Sequence, residues 1–263
     1  MSDISFCTLG IGQKSNILFW GDSHVQQLYP LIKDLHESES LGDHGVIFAI
    51  ANGCPPAEGL NNTRLGYHCD TFAHFAFLRA KQEDVDTVFI GFSPWWFLLK
   101  DSVCLSLNGR CTRNISTEEA LSQFVLELRG YIRDLRTRSK RVILGLPFIF
   151  WDKLIPDLEI RNAILGIDIG PSETSMSHVR EQLTQAARDT GADIFDPRAS
   201  LCVTTPCTYQ LDGISIYSDN NHIASSQVTV LKENMLHLFS TNANPSPKNH
   251  AEERSWPSTR AAP

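Results

Sequence analysis

The sequence predicts an α/β domain built on a central, mostly parallel five-stranded sheet with helices on both sides. Three observations carry that prediction. Five short apolar runs recur along the chain, at 16–20, 45–51, 86–92, 141–146 and 192–195, and each has the length of a strand rather than of a buried helix. Most are separated by segments with apolar residues at helical spacing, and strands alternating with helices imply parallel pairing. The runs are also nearly continuous in apolar character, as in Val142-Ile143-Leu144-Gly145-Leu146, which fits strands covered on both faces.

Composition agrees with one large domain. A chain of 263 residues, 42% hydrophobic and 20% charged, can bury a sizeable core without help. Its net charge of −7 argues against a nucleic-acid partner, because affinity for phosphate backbones rests on clustered Lys and Arg. The one dense basic stretch, 129–141, alternates with apolar residues and reads as the wet face of a helix. No segment approaches the roughly 20 apolar residues that span a bilayer. The stretch 1–20 also lacks the basic start and continuous apolar run of a secretory signal.

The first strand, Asn16 to Trp20, stops at Gly21-Asp22-Ser23-His24, and a helix is expected from Val25 to Leu35. Ser23 therefore sits at a strand-to-helix turn. That position presents a hydroxyl at the carboxyl end of a sheet strand, beside N–H groups that attract negative charge. The second strand, Gly45 to Ala51, runs into Asn52-Gly53-Cys54-Pro55-Pro56, where Gly53 permits close backbone approach. An Asn61-Asn62-Thr63 sequon follows in an expected loop. A short aromatic helix is expected over 71–80, and the third strand, Asp86 to Phe92, ends at Ser93-Pro94-Trp95-Trp96.

Residues 100–114 read as a polar excursion. Ser116 with Glu119 three residues on is a capping-box signal, so a helix should run from there to about Ser139. The fourth strand covers Arg141 to Leu146. A long connection, 147–170, leads to a helix expected over 171–190, with Gly191 suited to the residue past its end. The fifth strand, Ala192 to Phe195, is followed by a hairpin-like stretch over 208–216 and a last helical segment over 224–238. Past Ser240 the composition turns to Pro, Ser, Asn and charge, so 241–263 is expected to be a disordered tail or an expression remnant and 1–240 the catalytic domain.

Just before that last segment, Tyr217-Ser218-Asp219-Asn220-Asn221-His222 places an acid and an imidazole three residues apart. Asp219 would hold His222 in the tautomer that accepts a proton from Ser23, the Ser/His/Asp division of labour. Seven cysteines include six in close sequence pairs: Cys54 with Cys69, Cys104 with Cys111, Cys202 with Cys207. Three disulfides in an oxidising compartment fit better than metal binding, because the spacings are not those of zinc ligands. Cys7 is left over. No cofactor and no metal are called for.

Gly21-Asp22-Ser23 near the start and Asp219-x-x-His222 near the end resemble the first and last motif blocks of the SGNH (GDSL-like) hydrolases. The finer pattern, Leu18-Phe19-Trp20-Gly21-Asp22-Ser23-His24 with Asn52-Gly53-Cys54-Pro55-Pro56 and Tyr217-x-Asp219-x-x-His222, is similar to SGNH domains fused to bacterial acyltransferase family 3 membrane proteins. The resemblance spans about Cys7 to Leu238.

It implies a flavodoxin-like three-layer sandwich at the periplasmic face of the inner membrane. The implied activity is transfer of an acyl group, expected to be acetyl, to a polysaccharide such as lipopolysaccharide O-antigen. The acyl donor would be delivered by the membrane domain. The resemblance also implies that Gly53 lends its N–H to an oxyanion, against the plain reading of a turn glycine. Where the broad family has an asparagine after the third strand, this chain has Ser93 and tryptophans, a feature of the acyltransferase-linked branch. Asn52 is the candidate substitute donor. His24, Trp95 and Trp96 are candidate substrate contacts, against packing roles. Hydrolysis by the same three residues, and a polysaccharide-presenting module without turnover, remain as the other functional classes.

Overall fold

A computed structural model describes residues 6–10, 12–64, 67–93, 102–107, 109–203 and 206–240. Trp95, Trp96 and the expected tail over 241–263 lie outside the described residues.

The five expected strands all form: β2 (Asn16–Gly21), β3 (Gly45–Ile50), β5 (Val85–Gly91), β8 (Arg141–Gly145) and β9 (Asp193–Phe195). A sixth, β1 (Cys7–Leu9), was not expected and adds to the edge of β3 in the antiparallel sense. The sheet order is β1-β3-β2-β5-β8-β9, with every pair but the first parallel. Counted along the chain, the parallel strands run 2-1-3-4-5. The order reverses between β2 and β5, so a crevice opens beyond their carboxyl ends, where open α/β sheets bind ligands.

Both faces of the sheet are buried, which is why its strands read as apolar runs. Leu18, Trp20, Val88, Ile90, Val142 and Leu144 pack on one side with α3 (Cys69–Ala80), α4 (Thr117–Thr137) and α6 (Ser177–Thr190). Their alternating neighbours Ile17, Phe19, Phe89 and Ile143 pack on the other with α2 (Tyr29–Glu37) and α8 (Lys232–Ser240). The result is three layers. Ser116 caps α4 and accepts the Glu119 N–H at 3.1 Å, as the capping box requires. Gly191 closes α6 with φ at +70°, a conformation that favours glycine.

Several expected elements differ. The helix expected over 25–35 is broken into α1 (Ser23–Gln26) and α2, with Pro30 in the first turn of the second; proline has no N–H and its ring clashes with the preceding turn. The helix expected from Pro171 begins at Ser177. A one-turn α7 (Arg198–Leu201) follows β9, and the last segment is a 3-10 turn (Val228–Leu231) followed by α8. The connection over 147–170 hides α5 (Ile155–Leu165). The polar excursion is a small antiparallel sheet of β4 (Leu60–Asn62), β6 (Val103–Leu107) and β7 (Arg110–Asn114). The sequon lies in β4, where Asn61 is 2% exposed and donates to the carbonyls of Tyr67 and Gly109, so it is no loop site for a glycan.

The three disulfides form as paired: Cys54–Cys69, Cys104–Cys111 and Cys202–Cys207, with Cys7 free and exposed. Among the described residues no helix is long and apolar enough to cross a membrane. No group of three or more His, Cys, Asp or Glu among them is placed to hold a metal ion.

Candidate active site

Ser23 is the first residue of α1, and Asp22 before it is the N-cap. Asp22 is 1% exposed. Its Oδ1 accepts the His24 N–H and its Oδ2 accepts the Ser93 N–H, both at 2.9 Å. One buried carboxylate therefore ties the turn after β2 to the end of the neighbouring strand β5, and it offsets its own desolvation with those bonds. Gly21 lets the two strands close up at this point: a methyl group there would lie 2.0 Å from the Gly91 carbonyl oxygen.

Across the crevice, Asp219 Oδ1 accepts the N–H groups of Asn221 and His222, each at 2.7 Å. This tight turn, built by an aspartate on its own downstream backbone, is what makes the three-residue spacing work. It aims the His222 ring back, so that Nδ1 lies 2.7 Å from Asp219 Oδ2. Nε2 lies 2.8 Å from Ser23 Oγ. With Nδ1–H donating to the carboxylate, Nε2 is left to accept the serine proton. Burial by itself would raise the Asp219 carboxyl. The bonds from the His222 ring and from both N–H groups, with the charge of His222, outweigh it and hold its pKa at about 2.

Residues that the sequence reading passed over hold this loop. Gln27 Oε1 accepts the Ile223 N–H at 2.7 Å, the Trp151 backbone N–H donates to the Asn220 carbonyl at 2.8 Å, and the Asn220 carboxamide donates back to the Trp151 carbonyl at 3.3 Å. Trp151 is buried and edge-on to Tyr217. The long connection after β8 thus buttresses the Asp219–His222 turn. Its length was the only sign of a role.

Gly53 has φ at +77°, and its carbonyl accepts a bond from Asn62 Nδ2 at 3.0 Å. The Tyr67 ring covers it so closely that a methyl group would lie 2.6 Å from Tyr67 Cε1. Gly53, Ser23, Tyr67, Arg64, Ser93 and His222 share a hollow of about 280 Å³. The N–H groups of Ser23 and Gly53 find no partner among the described residues.

Two candidate residues are placed differently from expectation. Asn52 is exposed, and its carboxamide donates to Gln26 Oε1 at 2.8 Å instead of facing the hollow. His24 is 1% exposed, so no substrate can reach it. Its Nε2 is bonded to Asn221 Oδ1 at 2.8 Å, and its ring stands edge-on to His222. Burial, the largest influence, pushes its pKa below the ordinary value, with His222 in the same direction and Asp22, Asn221 and Asp219 opposed.

A parallel sheet of order 2-1-3-4-5 carrying a hydrogen-bonded serine, histidine and aspartate at its carboxyl edge fits the SGNH-hydrolase fold. The profile of SGNH domains fused to acyltransferase family 3 (AT3) domains matches residues 1–235, and the chain belongs to that family. Among solved structures, it is similar to the periplasmic domain of a lipopolysaccharide acetyltransferase from Salmonella ser. Paratyphi A. That match has a TM-score of 0.67 and 12% identity, over 88% of this chain and 86% of that one. It is also similar to a catalytic mutant of an acetylxylan esterase from Geobacillus stearothermophilus, with a TM-score of 0.51 and 13% identity over 88% of this chain and 96% of that one. At such identities the likeness establishes the fold. Among curated protein sequences, none matches significantly.

Proposed function

We propose that this chain is the periplasmic SGNH domain of a larger membrane acyltransferase and passes an acyl group, expected to be acetyl, to a polysaccharide hydroxyl through an acyl-serine. One observation carries the reading: Ser23 Oγ, His222 Nε2 and Nδ1, and Asp219 Oδ2 form a continuous chain of bonds of 2.8 and 2.7 Å. His222 removes the Ser23 proton as Oγ attacks the donor's carbonyl carbon. The N–H groups of Ser23 and Gly53 receive the developing oxyanion in the hollow that they line. Collapse expels the donor's leaving group, which takes the proton from His222. The Salmonella likeness supports acetylation of lipopolysaccharide, for which O-antigen is the acceptor expected from the sequence motifs, and the family supports a donor supplied by a fused membrane domain.

Hydrolysis is the second reading. The His222 side chain is 30% exposed, so water can reach the acyl-serine. Incubation with an acetyl donor and polysaccharide separates the two: transfer yields acetylated sugar, hydrolysis yields free acetate alone. A serine-directed phosphonate should label Ser23 and fail to label Ser23→Ala. Absence of labelling in the unaltered protein would leave only a polysaccharide-presenting module.

A further inference from the structure

Ser23 and His222 stand on a ridge between two hollows. Among the described residues, they alone line both the 280 Å³ hollow containing Gly53 and a second, larger one of about 640 Å³. We infer that this larger hollow is the acceptor site and that it is built for an uncharged sugar residue. The inference rests on the acyl-serine reading above and names the substrate class of its second step.

The two hollows differ in chemistry. The smaller holds the unpartnered N–H groups of Ser23 and Gly53 and the Arg64 side chain, so a carbonyl oxygen gaining negative charge belongs there. Among the described residues the larger is lined by no Asp, Glu, Lys or Arg. Its walls are the apolar Pro30, Phe48 and Ile50, interleaved with Gln26, Tyr29 and Ser225. The Gln26 amide nitrogen and the hydroxyls of Tyr29 and Ser225 have no partner among the described residues. Flat apolar faces with a few uncommitted, uncharged hydrogen-bonding groups suit a sugar ring. A uronate or phosphate entering this space would lose water and meet no cation, which is costly. The volume lies within the roughly 300–1,000 Å³ typical of ligand sites, far more than an acetyl group needs.

The step balances without further reagents. A sugar hydroxyl entering from this side gives its proton to His222 Nε2 while its oxygen bonds to the acyl carbon. The bond from that carbon to Ser23 Oγ then breaks, and Oγ recovers the proton from His222.

Cys7 supplies the probe. It lines the larger hollow, is exposed, and is the one cysteine outside the three disulfides. Alkylation of Cys7 by a maleimide should slow at least threefold under a panel of neutral mono- and disaccharides at saturating concentration, while oligogalacturonate leaves it unchanged. Tyr29→Phe and Gln26→Ala should each raise the half-protecting sugar concentration about fivefold. Equal or better protection by the acidic sugar, or none by any neutral sugar, overturns the inference. Because alkylation is read without turnover, this result is independent of nitrophenol release from para-nitrophenyl acetate, which reports acyl-serine formation. A chain that binds neutral sugar but releases no nitrophenol keeps the neutral-sugar site and loses the acyl-serine reading, and with it the role of that site as acceptor.

Discussion

His24 Nε2 lies 2.8 Å from Asn221 Oδ1, joining the residue after Ser23 to the residue before His222. Together with the bonds of His222 to Ser23 and of the Ile223 N–H to Gln27, it couples two segments from opposite ends of the chain. Each partner is also held by its own turn: the His24 N–H by Asp22 and the Asn221 N–H by Asp219. The distance between hydroxyl and imidazole is set in part by these neighbours of the three reacting side chains.

Asn221→Ala should therefore lower kcat more than it alters KM. Catalytic groups misplaced by about 1 Å lose on the order of a hundredfold in rate. Leaving His24 Nε2 buried without a partner should cost about 1–3 kcal/mol of stability. Steady-state kinetics on para-nitrophenyl acetate and a melting curve check both. Unchanged kcat would mean that the Asp219 turn holds His222 unaided.

The buried ring makes stability depend on pH. Burial lowers the His24 pKa in the folded state, so below pH 6.5 the unfolded chain takes up a proton that folded His24 refuses. Stability then falls as the pH drops. Wild-type Tm should decline between pH 7 and 5 more steeply than that of His24→Gln. Other histidines titrate in both proteins, so the difference between the two curves is the measurement.

Asp219 acts in a lower window. Its folded pKa of about 2 lies below the ordinary 3.8, so its contribution is present above pH 3.8 and is lost as the pH falls toward 2. The side chain is 36% exposed, and screening limits the effect to about 1–2 kcal/mol. Asp219→Asn should flatten the acid limb of the melting curve. At neutral pH it should lower kcat by about 10³ to 10⁴, through the wrong imidazole tautomer.

The Cys54–Cys69 link closes 15 residues beside Gly53. In the chain-entropy account a loop of that length is worth about 3 kcal/mol, or about 6–12 °C in Tm for a domain of this size. The double variant Cys54→Ser, Cys69→Ser should show that drop by calorimetry. It should also lose activity, because the link anchors the turn that presents the Gly53 N–H.

Much of this could be read directly from residues. The five parallel strands were legible because burial on both faces writes itself as unbroken apolar runs, and the Ser116 cap because its two partners are three residues apart. The paired cysteines were legible because each bridge spans a short loop. Pro30 signalled the break between α1 and α2, yet the helical spacing around it masked the signal. The strands β4, β6 and β7 were not legible: β7 is exposed along its whole length and carries no alternating pattern.

Local sequence determined that Ser23 would stand at the end of a strand and that Asp219 and His222 would share one turn, since both follow from backbone rules acting over a few residues. Only the tertiary structure decided that these segments meet, 199 positions apart. It also decided that His24 is sealed inside while Cys7, Gln26 and Tyr29 face a hollow. Burial depends on what the rest of the chain stacks against a residue, and neighbours in sequence carry no record of that.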